Sequence, residues 1–423
     1  MSLNPSYPDA VYPLLQRINE AVQPPCPTSA DNNCLPFKSE ASRRKLIAAA
    51  EQLLLAARSP EESVFAIAQQ PAQTTALRCA IALGIPDALP ENGSPRSLDS
   101  IASEVGADKM LLSRILRACT STSLLAEASE LHYAHNALSR AMLSPANRAL
   151  LSLMFDYNAR SIVALPEFLR GRGWRDAGSY DDCAFMLGCR TALPMWEFRD
   201  ADPECSRVFD LGMQSEIVAA LSTGKASGPF PFGEELSPRP SPAAAAAAGG
   251  DGGGNLTIVD LGGGRGQALI DMRGDHPALL QGARLVLVDL APVIDSAREA
   301  GLPPWVEPVK GSFFEPLPVR GADVYHLRRC LHNWDDAACR TVLRNVAAAM
   351  DPARSRLLVT DMVVADTNAA REMAWEDLNM MTIGGIERTE RHWRELLDES
   401  GFRVHRIWSN SPVEHATIDA RLK

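Results

Sequence analysis

The chain has 423 residues, 46% hydrophobic and 22% charged, with a formal net charge of -10. This is the composition of a globular chain long enough for two or three domains. Its acidic balance, without a long basic run, excludes a nucleic-acid partner. No apolar stretch approaches the length of a membrane span, and Met1 to Tyr12 lacks the basic start and apolar core of a signal peptide. The nine cysteines form no C-x-x-C pair. They argue against a disulfide framework or a zinc site and for a reducing, cytosolic setting.

Residues 1–38 are proline-rich and read as a flexible arm rather than a packed element. Residues 39–150 read as helical. Leu46, Ile47, Ala50, Leu53, Leu54 and Ala57 recur at helical spacing. The compact part is 63–144. Here a helix over Thr74–Leu83 ends at Gly84, another starts at Ser97, and Asp108 is the N-cap for a third over Lys109–Thr120. Short strands at 124–127 and 131–134 complete a winged-helix pattern. Its surroundings are not basic, which favours a protein partner over DNA.

Residues 151–237 are predicted mostly helical and carry Met and aromatic side chains. Such helices build either plain core or the wall of an apolar pocket. Residues 238–254 are a low-complexity Pro, Ala and Gly linker.

From residue 255 onward strands and helices alternate. Strands are predicted at Thr257–Leu261, Arg284–Asp289, Val306–Lys310, Asp323–Leu327, Arg356–Met362, Arg403–Trp408 and Pro412–Ile418. Helices include Asp336–Met350 and Glu390–Ser400. The alternation specifies a doubly wound parallel sheet, whose ligands sit outside the carboxyl ends of the strands.

The first of these strands runs into Asp260-Leu261-Gly262-Gly263-Gly264-Arg265-Gly266, a glycine turn that opens a helix. The third glycine of a dinucleotide fingerprint would fall at 267, which is Gln267. Asp289 ends the second strand, where an acidic side chain can accept from both ribose hydroxyls. After the third strand, Ser312 and Phe313 are candidates for an adenine edge and face. His332, in Leu331-His332-Asn333-Trp334, falls just past the fourth strand, where reacting groups collect. Asp361 and Glu387 fall at comparable strand ends and turns. A carboxylate beside an imidazole selects its tautomer and stabilises the imidazolium.

Together, the Asp-x-Gly-x-Gly-x-Gly loop, Asp289, Leu331-His332-Asn333-Trp334 and Gly384-Gly385-Ile386-Glu387-Arg388-Thr389-Glu390 resemble the S-adenosylmethionine-dependent O-methyltransferases of the plant caffeate type and their fungal secondary-metabolism relatives. The resemblance covers roughly residues 40 to 420. It implies a class I methyltransferase fold, Rossmann-like, with an N-terminal winged-helix dimerisation domain, a homodimer and a small-molecule substrate. It also implies S-adenosylmethionine as cofactor and no metal. By the same resemblance Gly262, Gly264, Asp289, Ser312, Phe313 and Arg328 would bind the cofactor, and His332 would be the general base between Asp361 and Glu387. The substrate pocket would draw on Met154, Phe155, Phe185, Met186, Trp196 and Met381, with Met380 and Ile383. His135 would be structural before it is a pocket residue reached through the dimer arm. Two departures stand out. Asn333 replaces the family's usual Asp, removing a charge beside the base, and Ser312 replaces a carboxylate near adenine. They keep open an alternative in which the fold binds the cofactor and catalyses a dehydration or pericyclic closure without methyl transfer. A winged-helix regulator that senses the cofactor is a third reading, disfavoured by the acidic charge and the retained His332.

Overall fold

The computed structural model describes residues 13–19, 40–175, 179–215, 225–236, 255–411 and 414–423. The linker at 238–254 and most of the N-terminal arm lie outside the described residues, although 13–19 is helical with Leu14 buried. Two compact units are formed, 1–140 and 141–423.

The first unit is helical apart from a small antiparallel sheet of β1 (Arg96–Ser97), β2 (Ala126–Ser129) and β3 (His132–Ala134), in the order β1-β3-β2. Helix Leu98–Val105 is capped by the Ser97 hydroxyl, and Lys109–Ser121 by the Asp108 carboxylate, which accepts from Leu111 N at 2.9 Å. Ile85, Ile101, Leu112, Leu116 and Leu125 fill the core between them. Helix Pro60–Ala68 buries no residue. Its Val64, Phe65 and Ile67 are each more than 60% exposed. His135 is buried here, with one ring nitrogen 2.9 Å from Ser139 Oγ and the other 2.9 Å from Pro86 O. Both nitrogens are therefore taken by this unit's own scaffold, in keeping with the structural reading.

The second unit opens with helices Pro145–Leu153 and Arg160–Gly171, joined without a break by a π-helical turn, Met154–Ala159. The Ser161 hydroxyl donates to Tyr157 O at 2.8 Å, satisfying a carbonyl in the widened turn. Helix Ala184–Cys189 lies close against it, since a Cβ on Gly188 would overlap the Arg160 backbone.

The main sheet contains β4 (Thr257–Leu261), β5 (Arg284–Asp289), β6 (Val306–Lys310), β7 (Val324–Arg328), β8 (Arg356–Asp361), β9 (Phe402–Trp408) and β10 (Ala416–Leu422), in the order β6-β5-β4-β7-β8-β10-β9. Because side chains alternate along a strand, the sheet feeds two cores. Val259, Leu261, Val288, Leu327 and Val359 face helices Asp336–Ala349 and Glu390–Glu399. Ile258, Leu285, Leu287, Val324 and Leu358 face helices Gln267–Asp275 and Ala291–Glu299. Each aliphatic side chain so buried contributes roughly 1.5–3 kcal/mol.

The sheet is parallel except at one strand. β10 runs antiparallel to both β8 and β9. Residues 409–415 are too few for a parallel return, which needs about a dozen residues, so the chain folds straight back as a hairpin. The last strand also starts later than Pro412, at Ala416. Reversal brings the start of β10 to the same sheet edge as the carboxyl ends of β7 and β8, with Ala416 opposite Asp361.

Candidate active site

The glycine loop leaves β4 at that edge. Gly262, Gly264 and Gly266 all have φ between +59° and +76°, a region that side chains disfavour. Gly263 is required for a different reason: a Cβ there would overlap Asp260 Oδ2. Gly264 opens onto free space, with nothing within 4 Å of its Cβ position. Its N–H donates to Asp289 Oδ2 at 2.8 Å, and Leu290 N donates to Asp289 Oδ1 at 2.7 Å. Burial raises the Asp289 carboxyl, against the pull of those two donors. The Phe313 ring lies against the Gly262 Cα, and the Ser312 hydroxyl accepts from Phe314 N at 3.2 Å. Arg328 ends β7, its guanidinium pKa lowered by burial and then by neighbouring Arg329. Cys330 lies under the loop, its Sγ 3.6 Å from Leu261 O and 3.7 Å from Gly262 O. Burial pushes that thiol well up, which keeps it inert.

A buried polar row runs beneath the loop across four strands. His326 Nδ1 is 2.9 Å from Asp260 Oδ1, and His326 Nε2 is 3.1 Å from Thr360 Oγ1. Thr360 Oγ1 is in turn 2.9 Å from Thr417 Oγ1. All four residues are at most 1% exposed. The row ties β4, β7, β8 and β10 together through buried side chains and so helps fix their register.

Past β7 the chain turns sharply at Arg329, whose φ is +52°, into the single 3-10 turn Leu331–Asn333 that carries His332. His332 is 5% exposed, and its Nδ1 lies 2.6 Å from Glu387 Oε1. A carboxylate only accepts, so Nδ1 is the donor and Nε2 is the nitrogen that can take a proton. Burial opposes charging His332, but the Glu387 and Asp361 carboxylates outweigh it and raise the imidazole above its usual range. Glu387 reaches this position because its loop comes very close. A Cβ on Gly385 would overlap His332 O, and Ile386 N donates to that same oxygen at 2.8 Å. Glu387 N is in turn held by Asp377 Oδ1 at 2.9 Å.

Asp361 ends β8 fully buried, and neither carboxylate oxygen has a hydrogen-bond partner among the described residues. Burial pushes its carboxyl up to about 6, with His332 pulling the other way. His415, at the foot of β10, completes the cluster. Its buried Nε2 has no partner among the described residues, and burial together with Arg329, Arg328 and His332 pushes the imidazole down to about 3. Sequence reading passed over His415, because only the reversal of β10 brings it to this edge.

Asn333 turns its amide away from the base. Its Nδ2 donates to Arg329 O at 3.1 Å and to Cys330 O at 3.3 Å. An aspartate could not donate there, so the exchange serves the turn and leaves the His332–Glu387 pair intact. Of the pocket residues anticipated from sequence, Phe185 and Met186 cluster with Ile383, Met380, Tyr157 and Phe198. Met154 is 39% exposed, and Phe155 and Met381 are half-buried. Trp196 instead meets Trp334 at 6.2 Å and Phe209 at 5.9 Å between ring centroids. No helix among the described residues is long and apolar enough to cross a membrane.

Comparison with known proteins matches this geometry. Residues 254–403 fit the model of the O-methyltransferase domain and residues 67–145 that of the O-methyltransferase dimerisation domain. An O-methyltransferase of Pestalotiopsis microspora is 37% identical over 393 residues, 93% of this chain and 92% of the relative. The crystal structure of OxaC in complex with SAH and oxaline superposes with a TM-score of 0.82 at 27% identity, covering 99% of this chain and 98% of that one. A structure described as a pericyclic reaction enzyme superposes with a TM-score of 0.81 at 26% identity, over 91% and 95% of the two chains. With both domain models matched and a relative 37% identical over nearly the whole chain, the chain belongs to the O-methyltransferase family.

Proposed function

We propose that this protein transfers a methyl group from S-adenosylmethionine to a phenolic or enolic hydroxyl of a small molecule, with His332 as the general base. The observation that carries the reading is the buried His332–Glu387 contact of 2.6 Å at the sheet edge shared with the glycine loop. The loop fits the cofactor. Gly264 leaves open space at its Cβ position, and each Asp289 oxygen holds one backbone N–H and keeps a lone pair for a ribose hydroxyl. In this reading Gly262 and Gly264 back the methionine part, Asp289 takes the ribose, and Phe313 covers adenine. The Ser312 hydroxyl proton bonds an adenine nitrogen, and Arg328 completes the cofactor side. When bound, S-adenosylmethionine supplies a methyl group already activated by its sulfonium.

The chain's own part is to hold the acceptor oxygen in line and remove its proton at His332 Nε2. Glu387 keeps Nδ1 protonated and stabilises the imidazolium that results. Phe185, Met186 and their aromatic neighbours form the apolar wall of the substrate side. The exposed Val64, Phe65 and Ile67, next to the dimerisation match, support a homodimer. Sedimentation that gives only the monomer mass at micromolar protein would remove that part of the reading.

A second reading retains the fold and cofactor but omits the transfer. It is favoured by the likeness to a pericyclic reaction enzyme. Against it stands the intact His332–Glu387 pair, which Asn333 does not disturb. The test is incubation of the purified protein with methyl-labelled S-adenosylmethionine and a panel of polyketide phenols. Label is expected in at least one phenol. Tight cofactor binding with no label in any acceptor would replace the first reading with the second.

A further inference from the structure

We propose that Arg388 is the positioning residue for His332, gripping the backbone of the turn that carries the base while its neighbour Glu387 grips the imidazole. This rests on the reading of His332 as base. Arg388 is completely buried. Its Nη1 donates to Leu331 O at 3.0 Å and its Nη2 to Trp334 O at 2.8 Å, so the two carbonyls bracket His332 in sequence. Nε and Nη2 also donate to Asp336 Oδ1 at 3.0 and 2.8 Å, and the other Asp336 oxygen lies 2.8 Å from His392 Nε2. The guanidinium lies over the Trp393 ring, 5.2 Å from its centroid. Its own carbonyl accepts from Val364 N at 3.0 Å, linking it to the segment that leaves Asp361.

A buried cation needs its protons satisfied, and here the bonds divide between the two carbonyls of the histidine turn and the Asp336 carboxylate. The arrangement needs a planar fork. A lysine ammonium carries the same charge but cannot span Leu331 O, Trp334 O and Asp336 at once. Displacing a reacting group by about 1 Å costs on the order of a hundredfold in rate, so a turn held at both ends has direct value for the base. Among the described residues, the Arg388 side chain bonds to the histidine turn, Ile386 O and Asp336 and not to the glycine loop or Asp289.

Arg388→Lys tests this, because it keeps the charge and removes the fork. The readouts are an NMR titration of the His332 imidazole and calorimetric binding of S-adenosylhomocysteine. Neither depends on knowing the acceptor or on methyl transfer taking place. The groups facing His332 are Glu387, Asp361, Arg329 and His415, and the substitution alters none of them. The His332 midpoint is expected to fall by about one pH unit as the Glu387 contact loosens, with S-adenosylhomocysteine affinity within about twofold of the parent. A His332 titration unchanged from the parent overturns the proposal. So does a loss of S-adenosylhomocysteine binding in parallel with the shift, which would make Arg388 a general structural cation. If Arg388→Lys does not fold, Asp336→Asn weakens the anchor of the same guanidinium, and the same two outcomes decide.

Discussion

On the proposed role of His332, His332→Ala is expected to lower methyl transfer about 10²- to 10⁴-fold and to leave S-adenosylhomocysteine affinity within about twofold. The first effect follows from removing the nitrogen that accepts the proton. The second follows because the Gly262–Gly266 loop and Asp289 are built on β4 and β5, while His332 hangs from the exit of β7. The alanine also leaves Glu387 buried with neither oxygen paired to an imidazole, so the melting temperature should fall as well. A double variant, His332→Ala with Glu387→Gln, separates the two effects. It should recover part of the lost stability and none of the lost transfer. Transfer by His332→Ala at more than a tenth of the parent rate would show that the base lies elsewhere.

Asp361→Asn should make the protein more heat-stable at pH 8, with the gain shrinking as the pH falls toward 5. The sign comes from burial. The folded Asp361 carboxyl is raised from 3.8 to about 6, so the folded state holds its proton more tightly than the unfolded state does. The stability this provides is fully present below pH 3.8 and is lost as the pH rises through about 6, by roughly 2–3 kcal/mol. Asparagine carries no such titration and escapes the loss. Melting curves at pH 5, 6, 7 and 8 read the difference directly. A gap between parent and variant that stays constant across this range would contradict the assignment of a strained, buried carboxylate. Transfer should nevertheless fall in the variant, since the Asp361 charge helps to raise His332.

Much of the catalytic unit was legible because its signals are local. β-Branched and apolar runs marked β4, β5 and β6 to the residue. The spacing of Gly262, Gly264 and Gly266 announced the loop, and the Asp108 cap was readable one residue before its helix. The direction of β10 was equally within reach. Counting the residues after Trp408 already rules out a parallel return. Other features were hidden because their causes are long-range. Nothing in Glu-Arg-Thr-Glu says that the arginine turns inward to carbonyls 54 and 57 residues upstream. The second use of Asn333 was hidden for a related reason. Composition shows a missing charge, whereas the fold uses two amide protons that an aspartate does not have. The π-helical turn left no trace at all, since Met154 to Ala159 has the composition of an ordinary helix.

That turn has an evolutionary consequence. A π-helical turn amounts to one residue inserted into an α-helix and absorbed within the widened turn. Its loss by a single-codon deletion would leave the flanking helices near their present facing and change which side chains the turn itself presents. Tyr157, which meets Phe198 edge-on at 5.8 Å between centroids, lies inside that turn, so its place among the aromatic side chains is what such a change would alter. Among relatives that share this scaffold, one residue gained or lost at 154–159 is therefore a short mutational route to a new pocket lining, with the glycine loop and the histidine turn unaltered.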